Sequence, residues 1–516
     1  MLHSATNTKP VKAGDLLVTS VRARNVPGRA DAGLAAVYAE ATDPDRGSVG
    51  GSIQPTGEVR TFRRSVTSPG DFGPGEFRVA VHLAVHLAAQ PQTLEIYAVT
   101  LEAYPAGTPP GELNLDGITW AGRDPDAPWR AEAAARIDRL RKADLTVRVV
   151  DPAGDPVPGA AVTVVQKRHA WRFGTFVGDT LLKDGADGER YRAEVLRRYN
   201  FLTLPAYLAD WGWRDPAARR RYVRMADWAQ THGLPARGHL LVYPGWSVTP
   251  PAWFTLPKPE LRAKLEAHVP EAARVFADRG VTEWDVTNEL RYNAEFMDEI
   301  GGLEVAAEWF ERAREVLPDG TLYLNETQLL PNGGRNEAEL ATYERHLDAL
   351  LAAGAPINGI GMQGHFRSEL TGGPQLLAVL DRFARYGKPI LITEFDIDND
   401  DKQAQAAYLR DFYTALFSHP AAAGVVMWQF WEGDMWQPRG HHFTKAWGPT
   451  PLSKAYDDLV LNEWWTRVSG ETDAAGACVT RAFKGVQTVT VRSGDYAWAR
   501  DVPVGDGGAT VEVSVP

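Results

Sequence analysis

Between residues 170 and 467, short apolar runs alternate with longer stretches in which apolar residues recur every three or four positions. A short apolar run bounded by turn residues is typical of a buried strand, and the longer spacing is typical of an amphipathic helix. The runs predict eight strands, at 171–177, 199–203, 238–243, 283–288, 321–325, 359–363, 389–393 and 424–430. Helices are predicted at 216–232, 259–279, 303–317, 337–352, 374–386, 402–417 and 452–465. This alternation predicts an α/β fold, a (β/α)₈ TIM barrel.

The first hundred residues follow a different pattern, in which short alternating runs are broken by Gly, Pro, Asp and Ser. Period-two alternation between frequent turn residues is typical of antiparallel sheets in a sandwich. The predicted strands lie at 15–21, 34–40, 57–63, 75–84 and 93–104. We therefore expect residues 1–110 to form a jelly-roll-like β-sandwich.

The segments on either side of the predicted barrel also contain strands. Residues 111–143 are predicted to be a linker and a helix, and residues 144–168 contain two short alternating runs. The tail, residues 469–516, has two more such runs. We expect these early and late strands to form one small β-domain, with the barrel at 169–468 inserted between them.

Composition and charge limit the possible partners. The chain has 516 residues, of which 44% are apolar and 23% charged. No run reaches the roughly 18–20 apolar residues that a membrane span requires, which predicts no membrane partner. The formal charge of -11 argues against nucleic acid and other polyanions and suits a neutral ligand such as a sugar polymer.

The cellular compartment stays open at this point. Cys478 is the single cysteine, so an internal disulfide is impossible and cysteine content says nothing about redox environment. Residues 1–8 lack a basic segment followed by an apolar one. The protein is expected to be cytoplasmic, or secreted or periplasmic if a leader precedes this sequence.

Two of the predicted barrel strands end in a glutamate. Glu289 follows the run at 282–288, and Glu394 follows the run at 389–393. Parallel strands of a barrel present their carboxyl ends at one face, where TIM-barrel chemistry takes place. A pair of carboxyl groups in opposite protonation states is what glycoside cleavage requires. The 17 tryptophans suit sugar stacking as well as a large core.

Five motifs, in the right order, resemble those of glycoside hydrolase family 10, the xylanase family of retaining (β/α)₈ barrels. They are the acid/base motif at 284–289, the nucleophile motif at 392–396, the sixth-strand motif at 361–365, the third-strand motif at 237–242, and the pair Trp428 and Trp436. The resemblance covers the barrel. The N-terminal sandwich more loosely resembles carbohydrate-binding accessory domains.

The resemblance implies a retaining mechanism without a cofactor or a metal. Glu289 would be the acid/base and Glu394 the nucleophile, with carboxyl groups about 5–5.5 Å apart. Asn288 would bind the sugar 2-hydroxyl. His365 would donate to Glu394 and be held by Asp396.

The remaining implied contacts form the floor and walls of the sugar site. His239 and Gln363 would complete a polar floor, although either could instead satisfy backbone groups at a strand end. Trp428 and Trp436 would form walls around the reacting sugar.

Substrate-binding motifs depart from the family pattern. Residues 204–211 replace the sugar clamp expected after the second strand, Tyr243-Pro244 replaces Trp-His after the third, and the loop 429–436 differs inside its flanking tryptophans. The fifth strand ends Asn325-Glu326-Thr327 where the family has Asn-Asp-Tyr. Candidates for different sugar contacts, or for plain packing, are Tyr207, Asp210, Trp211, Trp213, Tyr243, Trp246, Trp431 and Glu432.

Three functional hypotheses follow. The first is a retaining β-glycanase or β-glycosidase acting on a polysaccharide or oligosaccharide, with xylan as the default substrate and another β-linked glycan or glycoside as the alternative. The second is a non-catalytic carbohydrate-binding protein. The third is metal-dependent hydrolysis through His441-His442 or the acidic residues at 396, 398 and 400, for which a solvated loop is the better explanation.

Overall fold

The structure is a computed structural model of the chain. It describes residues 2–26, 35–53, 55, 57–82, 93–108, 113, 118–334, 336–367, 369–437 and 439–516. Parts of the predicted strands at 34–40 and 75–84 lie outside these ranges, as do residues 109–110 of the predicted sandwich and residues 111–112 and 114–117 of the predicted linker.

Two antiparallel sheets form the N-terminal part of the chain. The strands are β1 (Leu2–His3), β2 (Leu16–Asn25), β3 (Ala35–Ala41), β4 (Ser48–Ile53), β5 (Arg60–Thr67), β6 (Phe77–His82) and β7 (Leu94–Tyr104). One sheet has the order β1-β6-β3-β4 and the other β5-β2-β7. Val37 and Val81 of the first sheet share a core with Val21 and Phe62 of the second. Each predicted run overlaps a strand, and β1 and β4 were not predicted.

Eight parallel strands close into a barrel, which confirms the predicted fold class. After helix α1 (Pro128–Arg141) and strands β8 (Lys142–Val150) and β9 (Ala161–His169), the chain enters the barrel. The barrel strands are β10 (Arg172–Phe176), β11 (Phe201–Pro205), β12 (Ala236–Val242), β13 (Val281–Asn288), β14 (Thr321–Glu326), β15 (Gly359–Phe366), β16 (Ile390–Ile397) and β17 (Ala422–Met427).

Helices cover the outside of the barrel. They are α2 (Ala186–Arg198), α3 (Pro216–Thr231), α4 (Lys258–Ala277), α5 (Met297–Ile300), α6 (Leu303–Val316), α7 (Glu337–Ala352), α8 (Gly373–Ala384), α9 (Lys402–Ser418) and α10 (Pro451–Tyr456), the last continued by a π-helix (Asp457–Glu463). Capping residues set several of the starts: Asp215 accepts from the first amides of α3, and Asp401 accepts from the amide of Ala404 in α9. The prediction lacked α2, whose sequence is rich in Arg and Glu.

Strands from both sides of the barrel pair with each other. They are β8 and β9 from before the barrel and β18 (Arg467–Glu471), β19 (Ala477–Phe483), β20 (Gly485–Ser493), β21 (Tyr496–Val504) and β22 (Ala509–Ser514) from after it. The sheets have the orders β18-β9-β20-β21 and β19-β8-β22, with a shared valine-rich core. The prediction lacked β18, β19 and β21.

Burial of the barrel strands explains why their polar residues stand out in the sequence. Every residue of β12 and β16 is buried, because helices cover the outer face and the barrel interior covers the inner one. Polar groups on such strands need a partner or a function. Among the described helices, none is long and apolar enough to cross a membrane.

Candidate active site

A cleft of about 900 Å³ opens at the carboxyl ends of the barrel strands. The predicted site residues that line it are His239, Tyr243, Asn288, Glu289, Gln363, His365, Glu394, Asp396, Trp428 and Trp436. These residues come from five of the strands or from the loops that follow them. The barrel therefore gathers positions that are far apart in the sequence.

Glu394 is held on both carboxyl oxygens. Asn325 Nδ2 donates to Oε1 at 2.9 Å, and His365 Nε2 lies 3.1 Å from Oε2. Burial by itself would raise the pKa of Glu394, but the nearby His239 and the hydrogen bonds from His365 and Asn325 hold that pKa below its ordinary value. Glu394 is therefore kept ionised although it is only 4% exposed.

His365 lies between two carboxylates. Its Nδ1 is 2.8 Å from Asp396 Oδ2, and its Nε2 contacts Glu394. Burial would lower the pKa of His365, but the charges and hydrogen bonds of Asp396 and Glu394 outweigh it and raise the pKa to about 10. Burial also raises the pKa of Asp396. The pair places a protonated imidazole against Glu394.

Glu289 stands just beyond β13 with a left-handed backbone, at φ 55°. Its amide donates to the Asn325 carbonyl at 3.0 Å, which fixes the turn. Oε2 accepts from the Tyr243 hydroxyl at 3.0 Å and from Asn293 Nδ2 at 2.6 Å, and Oε1 accepts from Gln363 Nε2 at 2.8 Å. Burial and the neighbouring Glu289 raise the pKa of Tyr243, so its hydroxyl keeps the proton that it donates.

Side-chain amides connect the two glutamates. Gln363 Nε2 reaches both Glu289 Oε1 and Asn288 Oδ1, at 2.8 and 3.2 Å. Asn325 Nδ2 reaches both Asn288 Oδ1 and Glu394 Oε1, at 2.8 and 2.9 Å. Because Oδ1 of Asn288 accepts twice inside this network, its Nδ2 is the group left to donate into the cleft.

A buried cluster under the floor orients His239. Its Nδ1 lies 2.7 Å from Asp285 Oδ2, and Arg237 is hydrogen-bonded to the other oxygen of Asp285. Asp285 and Arg237 are fully buried. Because Nδ1 is bound to Asp285, Nε2 is the ring nitrogen of His239 that remains outside this cluster. The ring itself packs edge-on to Trp428, with centroids 5.1 Å apart.

Aromatic candidates divide into cleft residues and packing residues. Tyr207 and Trp211 line the cleft, with ring centroids 5.2 Å apart, and Trp436 is 57% exposed at its mouth. Trp213 is only 1% exposed and packs in the core. Trp246 packs against Phe254 and Phe296.

Trp431, predicted to contact substrate, is not brought into the cleft. It is 4% exposed and stacks on Trp447 at 4.9 Å. Gly433 makes room for it, because a Cβ there would lie 2.3 Å from the Trp431 ring. Of the two acidic candidates, Asp210 is exposed and Glu432 accepts from the Lys445 amide at 2.6 Å.

Of the residues considered for a metal site, Asp396, Asp398, His441 and His442 are buried, so they do not lie in a solvated loop as was predicted. Arg439 pairs with Asp398 at 2.9 Å and with Asp400 at 3.1 Å. His442 is fully buried, and burial lowers its pKa well below the ordinary value. Within the described ranges, no group of three or more His, Cys, Asp or Glu side chains is placed to hold a metal ion.

Asn325 and Glu326 were missing from the predicted site residues. Both end β14, as Asn288 ends β13, so position at a strand end could have identified them. Burial raises the pKa of Glu326 to about 8, although it accepts hydrogen bonds from the amides of Thr327 and Arg291.

Comparison with known proteins finds a family match within the barrel. Residues 217–456 match the family described as Glycosyl hydrolase family 10. The chain is 27% identical over 399 residues to the Anti-sigma-I factor RsgI6 of Acetivibrio thermocellus, an alignment that covers 75% of this chain and 50% of that protein. It is 26% identical over 386 residues to Endo-1,4-beta-xylanase 2 of Arabidopsis thaliana, which covers 74% and 35% of the two chains.

A shorter alignment has a higher sequence identity. It joins the chain to the Beta-1,4-xylanase of Dictyoglomus thermophilum at 33% identity over 199 residues, 37% of this chain and 52% of that protein. The chain thus spans about half or less of the length of these curated relatives. A matching solved structure is xylanase 10B from Thermotoga petrophila in complex with xylobiose, with 23% identity, a TM-score of 0.49 and coverage of 57% of this chain and 95% of that chain.

The family match begins in α3, after the second barrel strand, and ends with α10, after the eighth. It therefore contains both strands that present the paired glutamates, together with the strands that supply the connecting amides. The part of the chain from α3 to α10 thus matches glycosyl hydrolase family 10.

Proposed function

We propose that this chain is a retaining glycoside hydrolase, with Glu394 as the nucleophile and Glu289 as the acid/base. One observation carries the proposal: the two carboxyl groups share one cleft and are joined by the amides of Gln363, Asn288 and Asn325. Such a network fixes the position of each carboxyl group relative to the other, which a two-carboxylate mechanism requires.

In the first step, a Glu394 oxygen attacks the anomeric carbon and forms a glycosyl ester. The bond to the leaving oxygen breaks, and Glu289 gives that oxygen a proton. The lowered pKa of Glu394 supports its role, because an attacking carboxylate must be ionised.

In the second step, Glu289 takes a proton from water, and the water oxygen attacks the anomeric carbon. Glu394 leaves as a carboxylate, so two displacements restore the original anomeric configuration. Asn288 Nδ2 is free of the amide network and would donate to a sugar hydroxyl as charge develops at the ring.

Xylan is the default substrate, which would make the chain an endo-1,4-β-xylanase. Support comes from relatives named as xylanases and from Trp428 and Trp436 at the walls of the cleft. Tyr207 and Trp211 stand where the family clamp is expected, so another β-linked glycan is the alternative substrate. The partner in either case is a neutral polysaccharide or oligosaccharide.

The first test uses a panel of β-linked polysaccharides and aryl β-glycosides, with products separated by chromatography. We expect the wild-type protein to cleave at least one of them, and NMR of the first product to show the β-anomer. An initial α-anomer contradicts retention. Absence of cleavage together with sugar binding supports a non-catalytic carbohydrate-binding protein instead.

The second test assigns the two roles with an aryl β-glycoside and sodium azide. Glu394→Ala should lose cleavage and, with azide, form the α-glycosyl azide, because azide then attacks directly. Glu289→Ala should form the β-glycosyl azide, because azide attacks the glycosyl ester. Exchanged products contradict the assignment, and Glu311→Ala, on the exposed face of α6, is the control for general effects of removing a carboxylate.

A further inference from the structure

One part of the cleft wall does not come from the barrel. Ala36 and Tyr38 of β3, in the N-terminal sandwich, line the same cleft as Glu289 and Glu394. Along β3, Val37 is buried in the sandwich core, while Ala36 and Tyr38 are half-buried on the opposite face. The alternation of the strand thus directs the Tyr38 side chain away from its own core.

Tyr38 approaches the barrel at the loop after β15. Burial raises the pKa of the Tyr38 hydroxyl most, the charge of Glu369 in that loop raises it further, and the charge of Arg367 lowers it. Burial and Glu369 raise the pKa of Tyr38, so the phenol stays neutral and can donate a hydrogen bond. Among the described residues, none forms a hydrogen bond with the Tyr38 hydroxyl.

The sandwich holds the Tyr38 ring in place. Gly50 of β4 pairs with Tyr38, and a Cβ there would lie 2.7 Å from the ring, so the glycine provides the space. On the other side, the His82 ring packs edge-on to Tyr38 at 5.1 Å. Glu40, on the same face of β3, pairs with Arg78 at 2.9 Å. A ring packed on both sides, whose hydroxyl has no hydrogen bond within the described part of the chain, is well suited to contact a sugar.

We propose that Tyr38 is a substrate-contacting residue and that the N-terminal sandwich sets the specificity of the cleft for longer chains. The ligand is a β-linked glycan whose outer pyranose ring packs on Tyr38 and accepts or donates a hydrogen bond at its hydroxyl. This inference rests on the proposed function, and it adds a residue from outside the catalytic barrel.

The experiment compares Tyr38→Ala and Tyr38→Phe with the wild-type protein on β-1,4-xylo-oligosaccharides of two to six units. Loss of the contact should reduce kcat/KM for the longest oligosaccharide by about tenfold, and by less than about twofold for the shortest. Tyr38→Phe should lose less kcat/KM for the longest oligosaccharide than Tyr38→Ala, because it keeps the ring. Tyr97→Ala is the matched control, since Tyr97 is 51% exposed in the other sheet and does not line the cleft.

A length-independent loss, or no loss at any length, overturns the inference while leaving the proposed function intact. Binding decides the matter separately from turnover: in Glu394→Ala protein, calorimetry with xylohexaose should show about tenfold weaker binding when Tyr38→Ala is added. Equal binding in the two proteins overturns the inference. If the wild-type protein cleaves none of the oligosaccharides, xylanase function fails, and the binding comparison still tests Tyr38.

Discussion

Glu289 and Glu394 occupy the same cleft but differ in how tightly the protein surrounds them. Glu394 is buried between an amide and a protonated imidazole, whereas Glu289 is half-buried and accepts hydrogen bonds from three neutral groups. A nucleophile benefits from a fixed charge, and an acid/base must exchange protons with substrate and water. The contrast agrees with the roles that we propose.

Removal of the Asn325 amide should weaken catalysis without unfolding the protein. Asn325→Ala removes the donor to Glu394 and the link to Asn288. A hydrogen bond to a charged group contributes about 1.5–3 kcal/mol, so we expect kcat/KM to fall about 10- to 150-fold. Steady-state kinetics and circular dichroism measure the two effects. Asn462→Ala, at an exposed position in the π-helix, is the control, and unchanged kinetics in Asn325→Ala would show that the link has no role.

Glu326 should make stability depend on pH. Burial raises its pKa to about 8, so its contribution to stability is fully present below the ordinary value near 4.5 and is lost as pH rises through about 8. Glu326→Gln cannot ionise, and we expect a smaller fall in the free energy of unfolding between pH 5 and 9. Urea unfolding at several pH values across that range measures the free energy of unfolding. Glu311→Gln on exposed α6 should behave as wild type, and an equal slope in Glu326→Gln contradicts the prediction.

At the scale of elements, a buried carboxylate of helix α9 contributes to the attachment of the segment before the barrel. Asp411, 5% exposed, accepts from Trp120 Nε1 at 2.8 Å and from both terminal nitrogens of Arg130, at 2.5 and 2.8 Å. Arg130 lies on α1, which packs along α9. A single buried acid therefore joins two elements that are far apart in the sequence.

Asp411→Ala should destabilise the protein by about 2–3 kcal/mol. The substitution leaves Trp120 and Arg130 without their acceptor, and loss of one partner from a buried pair is costly, although the partial exposure of Arg130 moderates the effect. Chemical denaturation measures the change. The matched control is Asp458→Ala, which breaks the exposed pair with Lys454 and should cost less than about 1 kcal/mol. Similar losses in both variants would exclude a special role for Asp411.

At the scale of the whole molecule, the sheets formed by β8, β9 and β18 to β22, here called the β-domain, are connected to the barrel by hydrogen bonds. Arg141 donates to the carbonyls of Phe417 and His419 at the end of α9, at 2.7 Å each. Its own carbonyl accepts from the Lys484 amide at 2.8 Å, next to β20. The β-domain core and the barrel should therefore unfold together.

Val491→Asp tests that coupling. Val491 is fully buried in the β-domain core, so a carboxylate there should cost about 3 kcal/mol or more. We expect calorimetry to show one transition, shifted to lower temperature. Thr490→Asp is the control, because Thr490 is the neighbouring residue on the opposite face of β20. Two transitions, with the upper one unchanged, would show that the barrel is independent of the β-domain.

Much of the architecture follows from local patterns in the sequence. Apolar runs of strand length between amphipathic stretches predicted each barrel strand to within a few residues, because β10 to β17 are buried on both faces and must be apolar. The prediction lacked strands with mixed exposure, such as β19 and β21, and the polar helix α2. Too few of their residues are buried for apolar periodicity in the sequence to distinguish these elements from loops.

The chain by itself determined the barrel and the two glutamates at strand ends, because burial forces apolar strands and makes an isolated acid conspicuous. Tertiary structure alone decided which side chains meet: Trp431 packs in the core, Asn325 links Asn288 to Glu394, and Tyr38 of an N-terminal sheet lines the cleft. Those outcomes depend on contacts between residues far apart in sequence, which no local pattern encodes.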